Sequence, residues 1–273
     1  MRIETNRGVG LEVVESGAGP ALVLVHGLGG AKEDFEGHID SLAQRGWRVV
    51  AFDMRGHGAS DRPSGAGTYS LDTFAGDIVA VADACLVDRF HLLGHSVGGM
   101  ASRRVALAHP ERVASLMLVD TTHGPMPGLE PALAEGAAWI ALNQGMAELR
   151  RRMTERDPLG TPAHQRLVRE RPGYEEFNDR KWAALSPEMY AALIVEIATQ
   201  PDQRKDLGRV TCPTLVMVGE QDTLLIDDAR RMAEEIPGAR LVVVADAGHA
   251  PQLETPATFE HEVQAFLSSV PPP

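Results

Sequence analysis

A serine, a histidine and two aspartates are spaced along this chain as the parts of a nucleophilic site would be. Ser96 lies in Gly94-His95-Ser96-Val97-Gly98-Gly99, between an apolar run at 90–93 that reads as a buried strand and a stretch at 100–109 that reads as a helix. A serine with glycine two residues to either side, between strand and helix, is exposed on a sharp turn. Side chains at 94 or 98 would collide with the neighbouring strand or helix. The helix that follows aims its free N–H groups and positive dipole end at the same spot. A carbonyl held there can be attacked by the hydroxyl while backbone donors hold the developing charge.

Such a serine needs a base, and the base needs an orienting carboxylate. Of the ten histidines, His249 in Ala247-Gly248-His249-Ala250 directly follows the last strand-like run and has a glycine beside it. His38, His91, His109, His164 and His261 occupy helix, strand or insertion positions that suit a satisfied or solvated ring. Asp222 follows the strand-like run 214–218 in Gly219-Glu220-Gln221-Asp222; Asp120 also ends a strand and competes for the role. Asp222 is preferred, because Ser96, Asp222, His249 is the chain order expected of a triad mounted on a doubly wound sheet. Two backbone N–H groups complete the set as an oxyanion hole: that of Val97, and that of Leu28 in the loop His26-Gly27-Leu28-Gly29-Gly30.

The elements that must position these residues follow from the apolar pattern. Residues 2–6 and 9–15 read as a hairpin about Arg7-Gly8, and 21–25 as a strand buried on both faces. A helix at 33–45, a strand at 47–53, a helix at 71–86 capped by Ser70 and a strand at 113–120 continue the series. Alternation of this kind makes a parallel sheet wrapped by helices on both faces. It stops near Thr121. No strand is apparent from 123 to about 207, only helical stretches such as 131–153 and 187–199, divided at Asp157-Pro158-Leu159-Gly160 and Arg171-Pro172-Gly173. Strand 213–219, helix 226–236, strand 240–244 and helix 255–269 then resume the pattern, with a tail at 271–273. The division expected is a core at 1–122, a helical cap inserted at 123–207, and the rest of the core at 208–273.

Composition narrows the function. The chain has 273 residues, 44% of them hydrophobic, enough for one large core. With 26 basic and 38 acidic side chains the net charge is -12, which argues against nucleic acid or an anionic membrane as partner. No uncharged run approaches a membrane span, the first 15 residues lack a signal-peptide core, and Cys85 and Cys212 are too few for a disulfide framework. The expectation is a cytoplasmic enzyme acting on a small molecule, without metal or cofactor; nothing in the sequence speaks to oligomeric state.

In the motifs His26-Gly27-Leu28-Gly29, Asp53-Met54-Arg55-Gly56-His57-Gly58, Gly94-His95-Ser96-Val97-Gly98-Gly99, Gly219-Glu220-Gln221-Asp222 and Gly248-His249, in that order, the chain resembles the α/β-hydrolase family, in its capped, esterase- and lactonase-like branch. The resemblance implies a mostly parallel eight-stranded sheet, a Ser-His-Asp triad and no cofactor. It also implies structural roles for His26, Arg55 and His57. Serine at 96, where some relatives carry aspartate, argues against dehalogenase and epoxide-hydrolase chemistry. The function expected is hydrolysis of a carboxylic ester or lactone. C–C bond hydrolysis and cofactor-free perhydrolysis use the same triad and are the alternatives.

Two readings from other classes compete. Gly27-x-Gly29 after a strand, with Asp53 ending the next, imitates a dinucleotide-binding fingerprint, but Lys32 stands where the third glycine belongs and the triad is left unexplained. A non-catalytic binding protein on the same fold is the other, and the ordered triad speaks against it. Substrate contacts are expected from Gly27, His95, His123, Trp139 and Trp182. The insertion is locally cationic through Arg150, Arg151, Arg152, Arg166, Arg169, Arg171, Arg180 and Lys181, and one of these facing the pocket would suit a substrate carboxylate.

Overall fold

The structure, a computed structural model, describes residues 1–156 and 160–271. The first half of the core runs β1 (Arg2–Glu4), β2 (Gly10–Ser16), β3 (Ala21–Val25), α1 (Glu36–Gln44), β4 (Arg48–Phe52), α2 (Leu71–Ala84), β5 (Phe90–His95), α3 (Val97–Ala108) and β6 (Val113–Val119). Among the described residues five α-helices follow before the next strand: α4 (Pro131–Gln144), α5 (Met146–Arg156), α6 (Pro162–Glu170), α7 (Tyr174–Ala183) and α8 (Pro187–Thr199). The sheet then resumes with β7 (Thr214–Gly219), α9 (Ile226–Glu235), β8 (Arg240–Val244), the single turn α10 (Pro251–Glu254) and α11 (Pro256–Ser269).

The eight strands form one sheet in the order β1-β2-β4-β3-β5-β6-β7-β8. β1–β2 and β2–β4 pair antiparallel, and every pair from β4 to β8 is parallel. Strands β3, β5, β6 and β7 are buried at every residue, as strands covered on both faces must be. Their alternating side chains feed two apolar clusters, one on each face of the sheet. Chain direction across the sheet reverses between β3 and β5, since β4 lies on one side of β3 and β5 on the other. A crevice therefore opens beyond the carboxyl ends of those two strands, where doubly wound sheets take their ligands.

Three departures of the helices from the sequence reading have a local cause. The helix expected over 33–45 begins as a 3₁₀ turn, Lys32–Phe35, in which Asp34 turns back to accept the Ala31 N–H at 3.1 Å. The stretch 131–153 breaks at Gly145, whose φ of 86° ends α4. The final helix is preceded by the separate turn α10, since Pro256 offers no N–H to continue it. The cap of α2 is as expected: Ser70 accepts the Thr73 N–H at 3.0 Å. Of the Asp157-Pro158-Leu159-Gly160 break and the C-terminal tail, residues 157–159 and 272–273 lie outside the described residues.

Candidate active site

Ser96 follows β5 directly, with φ 52° and ψ −119°. A side chain rarely adopts that conformation, and holding it costs about 1–3 kcal/mol. Surrounding bonds enforce it. The Ser96 N–H donates to Val119 O at 2.9 Å, and the Ser96 carbonyl accepts the Thr121 hydroxyl at 2.7 Å. The flanking glycines are dictated by space. A Cβ on Gly94 would lie 2.4 Å from Gly98 O, and one on Gly98 would lie 2.5 Å from the carbonyls of Val25 and His26. Both obstacles are backbone, so the chain has no room to give.

From this turn the Ser96 hydroxyl meets His249 Nε2 at 3.1 Å, and His249 Nδ1–H donates to Asp222 Oδ2 at 2.7 Å. The three come from the loops after β5, β7 and β8. Burial alone would raise the pKa of Asp222, but the hydrogen bond and charge of His249 outweigh it and hold the carboxyl below its ordinary value. Asp120, the competing acid, is fully buried at the end of β6 and makes no bond to His249; its Oδ1 accepts the Gly219 N–H at 2.9 Å.

Two residues hold the histidine loop from either side. His95 Nε2–H donates to the His249 carbonyl at 2.6 Å. Burial, helped by His249, lowers the His95 pKa to about 3, so this ring is neutral and its tautomer is set by that bond. The carboxylate of Glu254 accepts the N–H groups of Gly248 at 2.6 Å and Ala250 at 3.3 Å, one on each side of His249. Sequence reasoning missed Glu254, although an acidic side chain five residues after the histidine, on the first turn of a helix opened by Pro251, was a visible sign.

The loop Gly27–Gly30 faces Ser96 across the crevice. A Cβ on Gly27 would lie 3.0 Å from both Ser96 Cβ and His95 Nδ1. Among the described residues neither the Leu28 N–H nor the Val97 N–H donates to a protein acceptor. His26 and His57 brace this loop from behind. His26 Nε2 accepts the Met54 N–H at 3.0 Å, and burial lowers the pKa of both rings. Arg55 forks onto Asp77 at 2.6 and 2.5 Å, beneath the same loops. Asp53 accepts Lys32 Nζ, the Lys32 N–H and the Ala59 N–H, which leaves it no part as a ribose ligand.

A cleft of about 520 Å³ opens over the site, lined by Gly27, Leu28, His95 and His249 below and by Arg150, Met153, His164, Lys181 and Trp182 above. Of the residues expected to contact a substrate, Gly27, His95 and Trp182 line this cleft. His123 and Trp139 do not. His123 turns away to Asp202, Nδ1 to Oδ1 at 2.9 Å, because it leaves β6 toward α9 rather than over the crevice. Trp139 is 56% exposed on the outer face of α4. Of the cationic side chains, Arg150, Arg169 and Lys181 line the cleft, whereas Arg151 and Arg152 pair with Glu148 along α5.

The fold is that of an α/β hydrolase, and the comparisons agree. Residues 20–256 match the family model for the alpha/beta hydrolase fold, and the chain belongs to that family. Over 271 residues it is 30% identical to a pimeloyl-acyl-carrier protein methyl ester esterase of Aeromonas hydrophila subsp. hydrophila, covering 94% of this chain and 99% of that one. It is also 30% identical to a 2-hydroxymuconate semialdehyde hydrolase of Pseudomonas sp. strain CF600, over 96% of this chain and 91% of the relative. Among solved structures, the enol-lactonase from Burkholderia xenovorans LB400 superposes with a TM-score of 0.87 at 26% identity, covering 98% of this chain and 100% of that one. These relatives are hydrolases.

Proposed function

We propose that this chain is a serine hydrolase that cleaves a carboxylic ester or lactone of a small molecule through an acyl-enzyme. The hydrogen-bonded run Ser96–His249–Asp222, with distances of 3.1 and 2.7 Å, carries the reading. Ser96 attacks the carbonyl as His249 Nε2 takes its proton. The tetrahedral oxyanion rests on the N–H groups of Leu28 and Val97. His249 then returns the proton to the leaving oxygen, and next deprotonates the water that releases the acid. Asp222, held ionised by its bond to His249, keeps the ring in the Nδ1–H tautomer and stabilises the imidazolium as it forms.

The helices α4 to α8 act as the cap. Bonds to the core hold them over the crevice, including the Ser186 N–H to Gly56 O at 2.9 Å and Arg62 Nη2 to Ala184 O at 2.8 Å. A cleft of this size suits a small-molecule substrate. The test is labelling with a fluorophosphonate, followed by turnover of p-nitrophenyl esters and simple lactones. Label on Ser96, with turnover falling by about 10³-fold or more in Ser96→Ala, is the expected result. A Ser96→Ala protein that keeps most of its activity overturns the mechanism. Label without ester or lactone turnover would move the reading to C–C hydrolysis on the same triad, the reaction class of the semialdehyde hydrolase relative.

A further inference from the structure

Asp120 stands beside the proposed triad, which does not use it. It closes β6 with φ 42°, in the left-handed region that Asp tolerates better than most side chains, and is wholly buried. Only one of its oxygens is accounted for. Oδ1 accepts the Gly219 N–H at 2.9 Å, whereas Oδ2 is sealed from solvent with no donor directed at it among the described residues. One oxygen of Asp120, one oxygen of Asp222 and one ring nitrogen of His249 all lie within 4.8 Å of one another.

Two carboxyls this close in a buried site do not both ionise; they share a proton. The donors around them decide which keeps it. Asp222 receives His249 Nδ1–H, a donor that becomes cationic during catalysis, while Asp120 receives a single neutral backbone N–H. The charge therefore settles on Asp222 and the proton on Asp120. The titratable groups facing Asp120 are Asp222, Glu254 and His249. Burial first, then the Asp222 charge and more weakly that of Glu254, push its pKa well above the usual carboxylate range, against the single Gly219 N–H.

We propose that Asp120 is a neutral carboxylic acid in the native protein and donates its proton in a hydrogen bond to Asp222. It is a positioning residue: it satisfies its own buried oxygen, ties β6 to β7 through Gly219, and pins Asp222. The protonation state stands on the geometry of the two carboxyls alone. Only its kinetic consequence rests on the proposed function.

Infrared difference spectroscopy of the wild type against Asp120→Asn at neutral pH tests the proton directly, without substrate. The expected result is a protonated-carboxyl C=O band that shifts in D₂O, disappears in Asp120→Asn and persists in Ser96→Ala. Its absence from the wild type overturns the proposal. Thermal unfolding gives a second readout. A proton held in the folded state and lost on unfolding makes the wild type lose stability as pH rises, so the melting temperature of Asp120→Asn should gain on it between about pH 5 and pH 8. Parallel curves overturn the proposal. In fluorophosphonate labelling, Asp120→Asn keeps an acceptor for Gly219 and a donor for Asp222 and should react within about 3-fold of wild type, whereas Asp120→Ala should fall by about 10-fold or more. An Asn variant as slow as the Ala variant refutes the positioning role while leaving the hydrolase reading intact. Failure of Ser96 to label refutes that reading and leaves the infrared result standing.

Discussion

Replacing Lys181 by methionine keeps most of the side chain's apolar stem and removes its charge. In the native protein Lys181, on α7, reaches Asp34 at 2.6 Å, with the two side chains 9% and 6% exposed. Asp34 has a second attachment, the Ala31 N–H at 3.1 Å, and its carboxylate fills the space a side chain on Gly30 would need. The pair therefore fastens the helical segment to the glycine loop that carries Leu28. In Lys181→Met the Asp34 carboxylate stays buried with only a backbone donor. Stranding a buried charge in this way costs about 3–5 kcal/mol. At about 2.1 cal/mol/K of unfolding entropy per residue, a chain of 273 residues loses about 0.6 kcal/mol for each kelvin of heating at its midpoint. The melting temperature should accordingly fall by about 5–9 °C. The double variant Lys181→Met/Asp34→Asn should recover most of that, because the amide still accepts the Ala31 N–H and carries no charge. Differential scanning calorimetry reads both effects, and the rate of fluorophosphonate labelling reports whether the glycine loop has shifted. A single variant within about 2 °C of wild type, or a double variant no better than the single, would refute the claim that this pair is buried and coupled.

Two further predictions concern the residues around His249. Glu254→Leu leaves the Gly248 and Ala250 N–H groups without their acceptor, at about 1–3 kcal/mol each, and should lower kcat more than it changes KM. Glu254→Gln keeps an acceptor and should restore most of the rate; equal losses in both variants would count against positioning through these bonds. Asp222→Asn should lower turnover by roughly 10³- to 10⁴-fold, as loss of the correct histidine tautomer does. Because the folded-state pKa of Asp222 is depressed, its contribution to stability is present above about pH 4 and is lost as pH falls through the folded value. The gap in melting temperature between wild type and Asp222→Asn should therefore close in acid, and a gap that widens there would show the sign to be wrong.

The parts of this molecule that were legible in its sequence are those whose geometry is local or fixed by strand order. Ser96 announced itself because a strand that turns straight into a helix needs Gly94 and Gly98, and the structure shows backbone where their side chains would be. Asp222 and His249 could be picked out as candidates because the carboxyl ends of parallel strands converge, so a loop position translates into a place in space. The helical segment gave no such rule. α4, Pro131–Gln144, has a single charged side chain, so nothing in its sequence marked which face would turn to solvent, and Trp139 was misplaced. His123 was misplaced for a related reason: the direction the chain takes on leaving β6 is set by partners more than 70 residues away, Asp202 and Asp228. Asp34 and Asp120 act through partners far along the chain, Lys181 and the Gly219 N–H, and no motif spacing encodes those.

The attachment of α6 limits how this scaffold can be rebuilt. The Ala163 N–H donates to Gln221 Oε1 at 2.8 Å, beside the proposed acid, and Arg166 Nη2 donates to Asp246 O at 2.7 Å on the histidine loop. Thr161 occupies the space that any side chain at Gly248 would fill, with its hydroxyl 2.4 Å from where a Cβ would stand. A chimera carrying another protein's helices between β6 and β7 would therefore inherit a mismatch at the proposed triad as well as a new lining for the cleft. Exchange of specificity by transplanting this segment should succeed only when residues 221, 246 and 248 travel with it, so that the unit of engineering is the helices together with the two loops they grip.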